Sequence, residues 1–223
     1  MEPSCSTTEP SSCLIPDRIP LFPLPNIVLF PRMYLPLHIF EPRYRQMVTD
    51  AGAMGNCIGM ALFKEGWQEN YYGNPAIYAL GCVGRVVSKQ HFPDGRSNIM
   101  LQGLCRYKIL EEEWDRTPYR QARIVPVLEQ ISEPLNHEIR AGLLAMLRES
   151  LVHDDSDQAL FGNGLESDLS DEVLVNTLSA SMDFTPLEKQ LLLEADTVRQ
   201  RARRLSDLLH FKRYERDHLK GRG

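Results

Sequence analysis

The sequence predicts an α+β chain in which a β-rich N-terminal lobe precedes a helical one, and three observations carry that expectation. From Ile19 to Val127, short β-branched and aromatic runs are broken by Pro and Gly. Prolines at 23, 25 and 31 each remove a ladder donor, which favours edge or bulged strands and so a small irregular barrel. After about Ser132 the apolar spacing changes to the three-and-four pattern of helices. The expected boundaries are a disordered leader at 1–17, a barrel lobe at 18–130 and a helical lobe at 131–223 with an acidic loop at 153–168.

The first strand region is LFPLPNIVLFP at 21–31, followed by YLPLHIF at 34–40. Pro42 then opens a helix, PRYRQMVTDA, at a first-turn position where its missing N–H costs little; Gly52 or Gly55 can end it. CIGMALF (57–63), IYALGCVGRVVSK (77–89) and SNIMLQG (97–103) read as strands. Between the last two, Pro93-Asp94-Gly95 has the chemistry of a tight turn, which makes a β-hairpin. CRYKILEEE (105–113) and YRQARIVPV (119–127) add two strands, joined through Asp115-Arg116-Thr117-Pro118.

The helical lobe starts with PLNHEIRAGLLAMLRESLV at 134–152. Ser170 is placed to cap the next helix, with Asp171 and Glu172 suited to its positive end. Thr185-Pro186-Leu187-Glu188 is a capping box, satisfying two orphan donors at a helix start. Asp196 is the expected cap of the last helix, where Val198, Ala202, Leu205 and Leu209 share the face that packs on the preceding helices.

The charge pattern bounds function. Residues 197–223 hold nine Lys/Arg against three Asp/Glu, a local +6 that leaves −11 on the rest of a chain whose formal charge is −5. No run of about 18 apolar residues could span a bilayer. The N-terminus lacks the basic and apolar regions of a secretory signal. Five cysteines (Cys5, Cys13, Cys57, Cys82, Cys105), with no Cys-x-x-Cys, suit reduced thiols and a cytoplasmic location.

Chemistry-bearing motifs are absent from the sequence. No G-x-x-x-x-G-K-[ST] loop is present to cradle a nucleotide's phosphates. The six histidines are scattered and form no H-E-x-x-H. Asp155, Asp157 and Glu166 occupy three positions of a calcium-loop register, but Ala159 and Leu160 stand where a ligand and a turn-making Gly belong. No catalytic, metal or cofactor residue is therefore assigned. Trp67, Tyr71 and Tyr72 are the candidate binding residues, because KEGWQENYYGNP is a polar loop with no evident need of aromatics for a core. They serve either as a peptide contact or as a lid folded onto the barrel.

Three stretches resemble the LON substrate-binding domain family, the N-terminal domain of ATP-dependent Lon proteases. IPLFPLPNIVLFPRMYLPLHIFEPRYRQM (19–47) is similar to the family's opening strands and first helix. ALGCVGRVVSKQHFPDGRSNIMLQGLCRYKI (79–109) resembles its paired strands around a Pro-Asp-Gly turn, and PLEKQLLLEADTVRQRARRLSDLL (186–209) its last two helices. Arg32 departs from the pattern, since the family often has Gly there, so a different turn type is expected. The resemblance implies a PUA-like β pseudo-barrel followed by a helical bundle, in a stand-alone form without the ATPase or peptidase. It implies an unfolded or degron-bearing polypeptide as partner, with a separate protease as a further one, and no enzymatic role. RNA binding through a PUA-like barrel and the basic C-terminal helix ranks second. The barrel region is not conspicuously basic and lacks an RRM-type aromatic signature.

Overall fold

The computed structural model describes residues 15–113, 117–129, 133–151 and 169–220. The acidic loop expected at 153–168, with its calcium-like register, lies outside them, as do residues 1–14 of the expected leader. Ile15 packs against a cluster that includes Ile19, Leu21 and Val83, and Asp17 O accepts from the Ile124 N–H at 2.7 Å.

The architecture is α+β. Six strands run β1 (Arg18–Leu24), β2 (Tyr34–Ile39), β3 (Cys57–Leu62), β4 (Leu80–His91), β5 (Ser97–Glu113) and β6 (Gln121–Val127). Helix α1 (Pro42–Asp50) follows β2, and the second half of the chain supplies α2 (His137–Leu151), α3 (Asp171–Ser181), α4 (Pro186–Leu193) and α5 (Val198–Lys220). The mixed sheet has the order β2-β5-β4-β3-β1-β6, and β6 also pairs with β5, so the hydrogen-bonded order returns on itself. Among the described strands only β1–β3 is parallel.

Two expectations for the strands are corrected. β1 is an interior strand despite its prolines. Arg18–Pro20 pairs with β6 and Leu21–Leu24 with β3, so each short stretch needs ladder donors on one side only. β5 is one strand of 17 residues, and Gly103 does not break it. Its first part pairs with β2 and its second with β6, while β4 runs along both.

Gly103 lies where the chain crosses itself. A Cβ there would sit 2.1 Å from Phe30 O and 3.0 Å from Phe30 C, which only Gly permits. The crossing segment is the turn Phe30-Pro31-Arg32-Met33, closed by Met33 N–H to Phe30 O at 3.2 Å, with Arg32 at φ 67°. Pro followed by a left-handed residue is the type II arrangement, the conformation that a Gly at position 32 would favour. The expectation of a different turn type is thus corrected: Arg32 takes the left-handed backbone because the turn is pinned on both sides. Its N–H donates to Gly103 O at 2.9 Å, and Gly103 N–H donates to Met33 O at 2.8 Å.

The Pro-Asp-Gly hairpin forms, with Gly95 at φ 83°; the Phe92 N–H donates to Arg96 O at 2.9 Å and the Gly95 N–H to Phe92 O at 3.0 Å. Gly55, also left-handed, ends the 3₁₀ turn that prolongs α1. Ser170 caps α3 and Thr185–Glu188 closes both bonds of its capping box. On α5 the cap is Thr197 instead of Asp196: Thr197 Oγ1 accepts from the Gln200 N–H at 3.1 Å, while the Asp196 N–H donates to Gln200 Oε1 at 2.7 Å.

Three cores result. One fills the space between α1 and the sheet (Leu37, Ile39, Met47, Ile58, Leu101), and a second is formed by other sheet residues (Ile19, Leu21, Val83, Tyr107, Ile124). The third is helical (Leu143, Leu174, Leu178, Leu192, Leu205) and receives Phe30 from the connection between β1 and β2. Val198, Ala202 and Leu205 of α5 are buried there and Leu209 is packed against them. Phe30 is fully buried, an anchor worth about 2–3 kcal/mol on area grounds.

Candidate functional site

The loop between β3 and β4 carries Trp67, Tyr71 and Tyr72, and the fold brings them together with Phe63 as an aromatic ladder. Gly66, at φ 82°, starts a 3₁₀ turn, Trp67–Asn70, that sets their spacing. Trp67 stacks on Phe63 at 5.6 Å, Tyr71 meets Trp67 edge-on at 5.7 Å, and Tyr72 meets Tyr71 edge-on at 5.1 Å. Trp67 and Tyr71 are half-buried against the sheet's core residues, whereas Tyr72 is 89% exposed. Two of the three candidates therefore lean onto the sheet, and one stands in solvent at the ladder's end.

The start of α1 holds this shelf in place. Tyr71 Oη donates to Glu41 Oε1 at 2.7 Å, and Arg43 Nε donates to Glu41 Oε2 at 3.0 Å. The Arg43 guanidinium lies 4.6 Å from the Tyr44 ring centre and 4.9 Å from that of Tyr71, both within cation–π range. Arg43, Tyr44, Tyr71, Tyr72, Tyr119 and Arg120 help line a pocket of about 200 Å³. Glu41-Pro42-Arg43-Tyr44 stood in the sequence as the opening of a helix, and nothing local ties it to a loop some thirty residues later. That juxtaposition was missed.

Electrostatics suit contact more than bond-making. Burial pushes the Tyr71 hydroxyl up, and the neighbouring Glu41 carboxylate pushes it further. Burial raises Tyr44 strongly as well. Tyr119 is pushed up to about 12 by burial and by its bond to Asp50 Oδ2 at 2.6 Å. Burial pulls Arg43 down, but Tyr44 and Glu41 outweigh it and leave its value raised. Arg120 is tied to Glu112 and donates to Pro75 O at 2.7 Å. Phenols that stay neutral and cations already paired offer stacking surface and hydrogen bonds, and they supply neither a base nor an activated nucleophile.

A second polar cluster lies where the sheet meets the helices. Glu129 Oε1 receives Arg201 Nη2 at 2.7 Å and lies 3.1 Å from Arg106 Nε. Arg106 also donates to the carbonyls of Leu193, Ala195 and Asp196, and Arg201 to that of Leu192, so two guanidinium groups cap the C-terminal end of α4. Arg201 further donates to Asn176 Oδ1 at 2.7 Å, and Asn176 Nδ2 to Pro31 O at 3.0 Å. Desolvation lowers Arg106, opposed by Glu129. Apart from Arg106 Nε, which lies beside Glu129 without a hydrogen bond, these donors are occupied between the sheet and the helices. Among the described residues no three His, Cys, Asp or Glu side chains come together as a metal-ligand set, and no helix is long and apolar enough to cross a membrane.

Comparison with known proteins gives one consistent result. The family model of the ATP-dependent protease La (LON) substrate-binding domain matches residues 18–210. The Lon protease of Flavobacterium johnsoniae is 27% identical over 194 residues, covering 84% of this chain and 23% of that protein. Lon protease 2 of Myxococcus xanthus is 28% identical over 202 residues, 89% of this chain and 24% of that one. The chain thus spans about a quarter of the length of these relatives. Among solved structures, a Lon N-terminal domain protein from Xanthomonas campestris superposes with a TM-score of 0.60 at 23% identity, covering 86% of this chain and 97% of that one. The N-terminal domain of a Mycobacterium avium complex Lon protease gives a TM-score of 0.62 at 19% identity, covering 85% and 96%.

Proposed function

This chain belongs to the family of LON substrate-binding domains, and from that premise we propose that it is a non-catalytic module that binds unfolded or degron-bearing polypeptide. We read the sheet that returns on itself as a PUA-like pseudo-barrel, and the binding surface as lying on that lobe. The observation that carries this reading is the aromatic shelf. Tyr72 is held 89% exposed by a ladder whose inner members are anchored to the barrel and to Glu41. Exposed, rigidly supported aromatics offer large contact area at low entropic cost, as in peptide-binding hot spots. A separate protease that receives the bound chain completes this reading, with the protein acting in the cytoplasm.

The RNA alternative has weaker support. Four of the nine basic residues beyond 196 already have partners: Arg199 with Glu133, Arg201 with Glu129, Arg204 with Leu191 O and Lys212 with Glu188. A phosphate-binding helix would leave such groups free. The deciding experiment is fluorescence anisotropy of labelled β-casein, an unfolded chain, titrated with the protein, alongside assays for ATP hydrolysis and casein cleavage. Saturable binding with neither turnover is expected. Absence of binding, or tighter binding of single-stranded RNA that weakens steeply with salt, would overturn the reading.

A further inference from the structure

Beyond the point where β5 leaves β6, the strands β2, β5 and β4 continue as a three-stranded flap with two different faces. On one, Leu37, Ile39, Ile99 and Leu101 are buried against Tyr44, Met47 and Val48 of α1. The other is uncovered by any described element. By register it carries the rows Pro36–Met100–Ser88 and His38–Asn98–Gln90, with Tyr34–Gln102–Arg85 at one end and Phe40 beyond the other. A shallow concavity of about 420 Å³ lies over the two inner rows.

The chemistry of this face is unusual for a surface in water. Solvated faces of antiparallel sheets ordinarily carry charge, and this chain is 25% charged. Yet no Asp, Glu, Lys or Arg lines the concavity, and a charge enters only at the corner, as Arg85. Tyr34 and Phe40 stand 61% and 56% exposed. Between these two aromatic ends lie amide, hydroxyl and imidazole groups, several of them already aligned. His38 Nδ1 and Asn98 Oδ1 are 2.7 Å apart, and Gln102 Nε2 donates to Tyr34 Oη at 3.1 Å.

We infer that this face is the seat of an extended, unfolded polypeptide segment rich in apolar and aromatic side chains. The inference rests on the polypeptide-binding function proposed above and assigns it a second surface in addition to the aromatic shelf. Neutral amides and an imidazole match the uncharged donors and acceptors of a polypeptide backbone, and Tyr34, Met100 and Phe40 match its apolar side chains. Nucleic acid, whose phosphates require cations, finds none in the concavity. The segment lies across the face instead of adding to the sheet edge. Met33 accepts from Gly103, so by alternation Leu35, Leu37 and Ile39 bond to β5 and the nitrogen of Pro36 faces outward. Pro36 has no N–H to give, which interrupts strand addition at the middle of that edge.

The test uses labelled β-casein with four proteins: the parent, Tyr34→Ser/Phe40→Ser, Ser88→Glu/Gln90→Glu and the shelf variant Tyr72→Ser. Far-UV circular dichroism and thermal melting confirm that each is folded; all the substituted side chains are exposed. The expected result is that each double variant binds at least about tenfold more weakly, whereas parent affinity changes less than about twofold between low and high salt. Casein binding by the parent that both double variants retain overturns this assignment and leaves the proposed function standing. No binding by the parent overturns the proposed function itself. A parent dimer in size-exclusion chromatography that the double variants disperse overturns the assignment by making a second copy the occupant.

Discussion

Replacing Glu129 with alanine removes the carboxylate on which two buried guanidinium groups converge. Arg106 and Arg201 are 1% and 0% exposed, one on β5 and the other on α5. Deleting one partner of a buried ion pair costs about 3–5 kcal/mol, because the remaining charge stays desolvated. The Glu129 side chain is 15% exposed, so water can reach the gap, and the lower end, about 3 kcal/mol, applies. That is a large part of the 5–15 kcal/mol typical of a whole domain, and for a chain of this length it lowers Tm by roughly 6–12 °C. Urea unfolding followed by far-UV circular dichroism and by tryptophan fluorescence separates the lobes, since both tryptophans, Trp67 and Trp114, precede the helical lobe. Because the network joins the lobes, the variant's helical signal is expected to unfold at lower urea than its fluorescence. Glu129→Gln, which keeps an acceptor, should lose about half as much. A loss below about 1 kcal/mol with coincident transitions would refute the view that this cluster is a buried latch.

Three further outcomes are expected from other parts of the fold. Gly103→Ala drives a Cβ into the Phe30 carbonyl and should cost more than about 3 kcal/mol, whereas Gly142→Ala, on α2 with nothing within 4 Å, should gain about 0.5–1 kcal/mol; thermal melting reads both. Arg32→Gly relieves a left-handed residue at the loss only of a half-exposed ion pair to Glu172, a net gain of about 0.5 kcal/mol in urea titration. Burial pushes the Glu188 carboxyl up, but the Thr185 N–H and hydroxyl and Lys212 outweigh it and hold the value below the ordinary range. Its contribution is therefore full above the unfolded carboxyl's pKa and is lost as pH falls through the depressed folded value. Accordingly Thr185→Ala should cost about 1 kcal/mol at pH 7, and the Tm gap between parent and variant should narrow at pH 3.

The aromatic shelf divides between what could be read along the chain and what could not. Trp67, Tyr71 and Tyr72 stand out because a polar Gly- and Asn-containing loop has no local use for them. Their supports do not stand out: Glu41 and Arg43 reach Tyr71 only once α1 is packed beside the β3–β4 loop. The uncharged sheet face was equally hidden, because Tyr34, His38, Asn98, Met100 and Ser88 are ordinary residues until three strands settle into register.

By itself the sequence determined the local grammar of this protein: the change from strands to helices, the Pro-Asp-Gly hairpin, the caps at Ser170 and Thr185 and the motifs of the LON substrate-binding family. Each is set by forces acting within a few residues, such as fixed φ at Pro, free φ at Gly, orphan donors at a helix start and side-chain period. Tertiary structure alone decided that β1 is interior, that β5 is continuous through Gly103 and serves three neighbours, and that Arg106, Glu129 and Arg201 meet. Those outcomes depend on which distant segments pair, and pairing is chosen by the burial of whole faces at once, which no short window of sequence records.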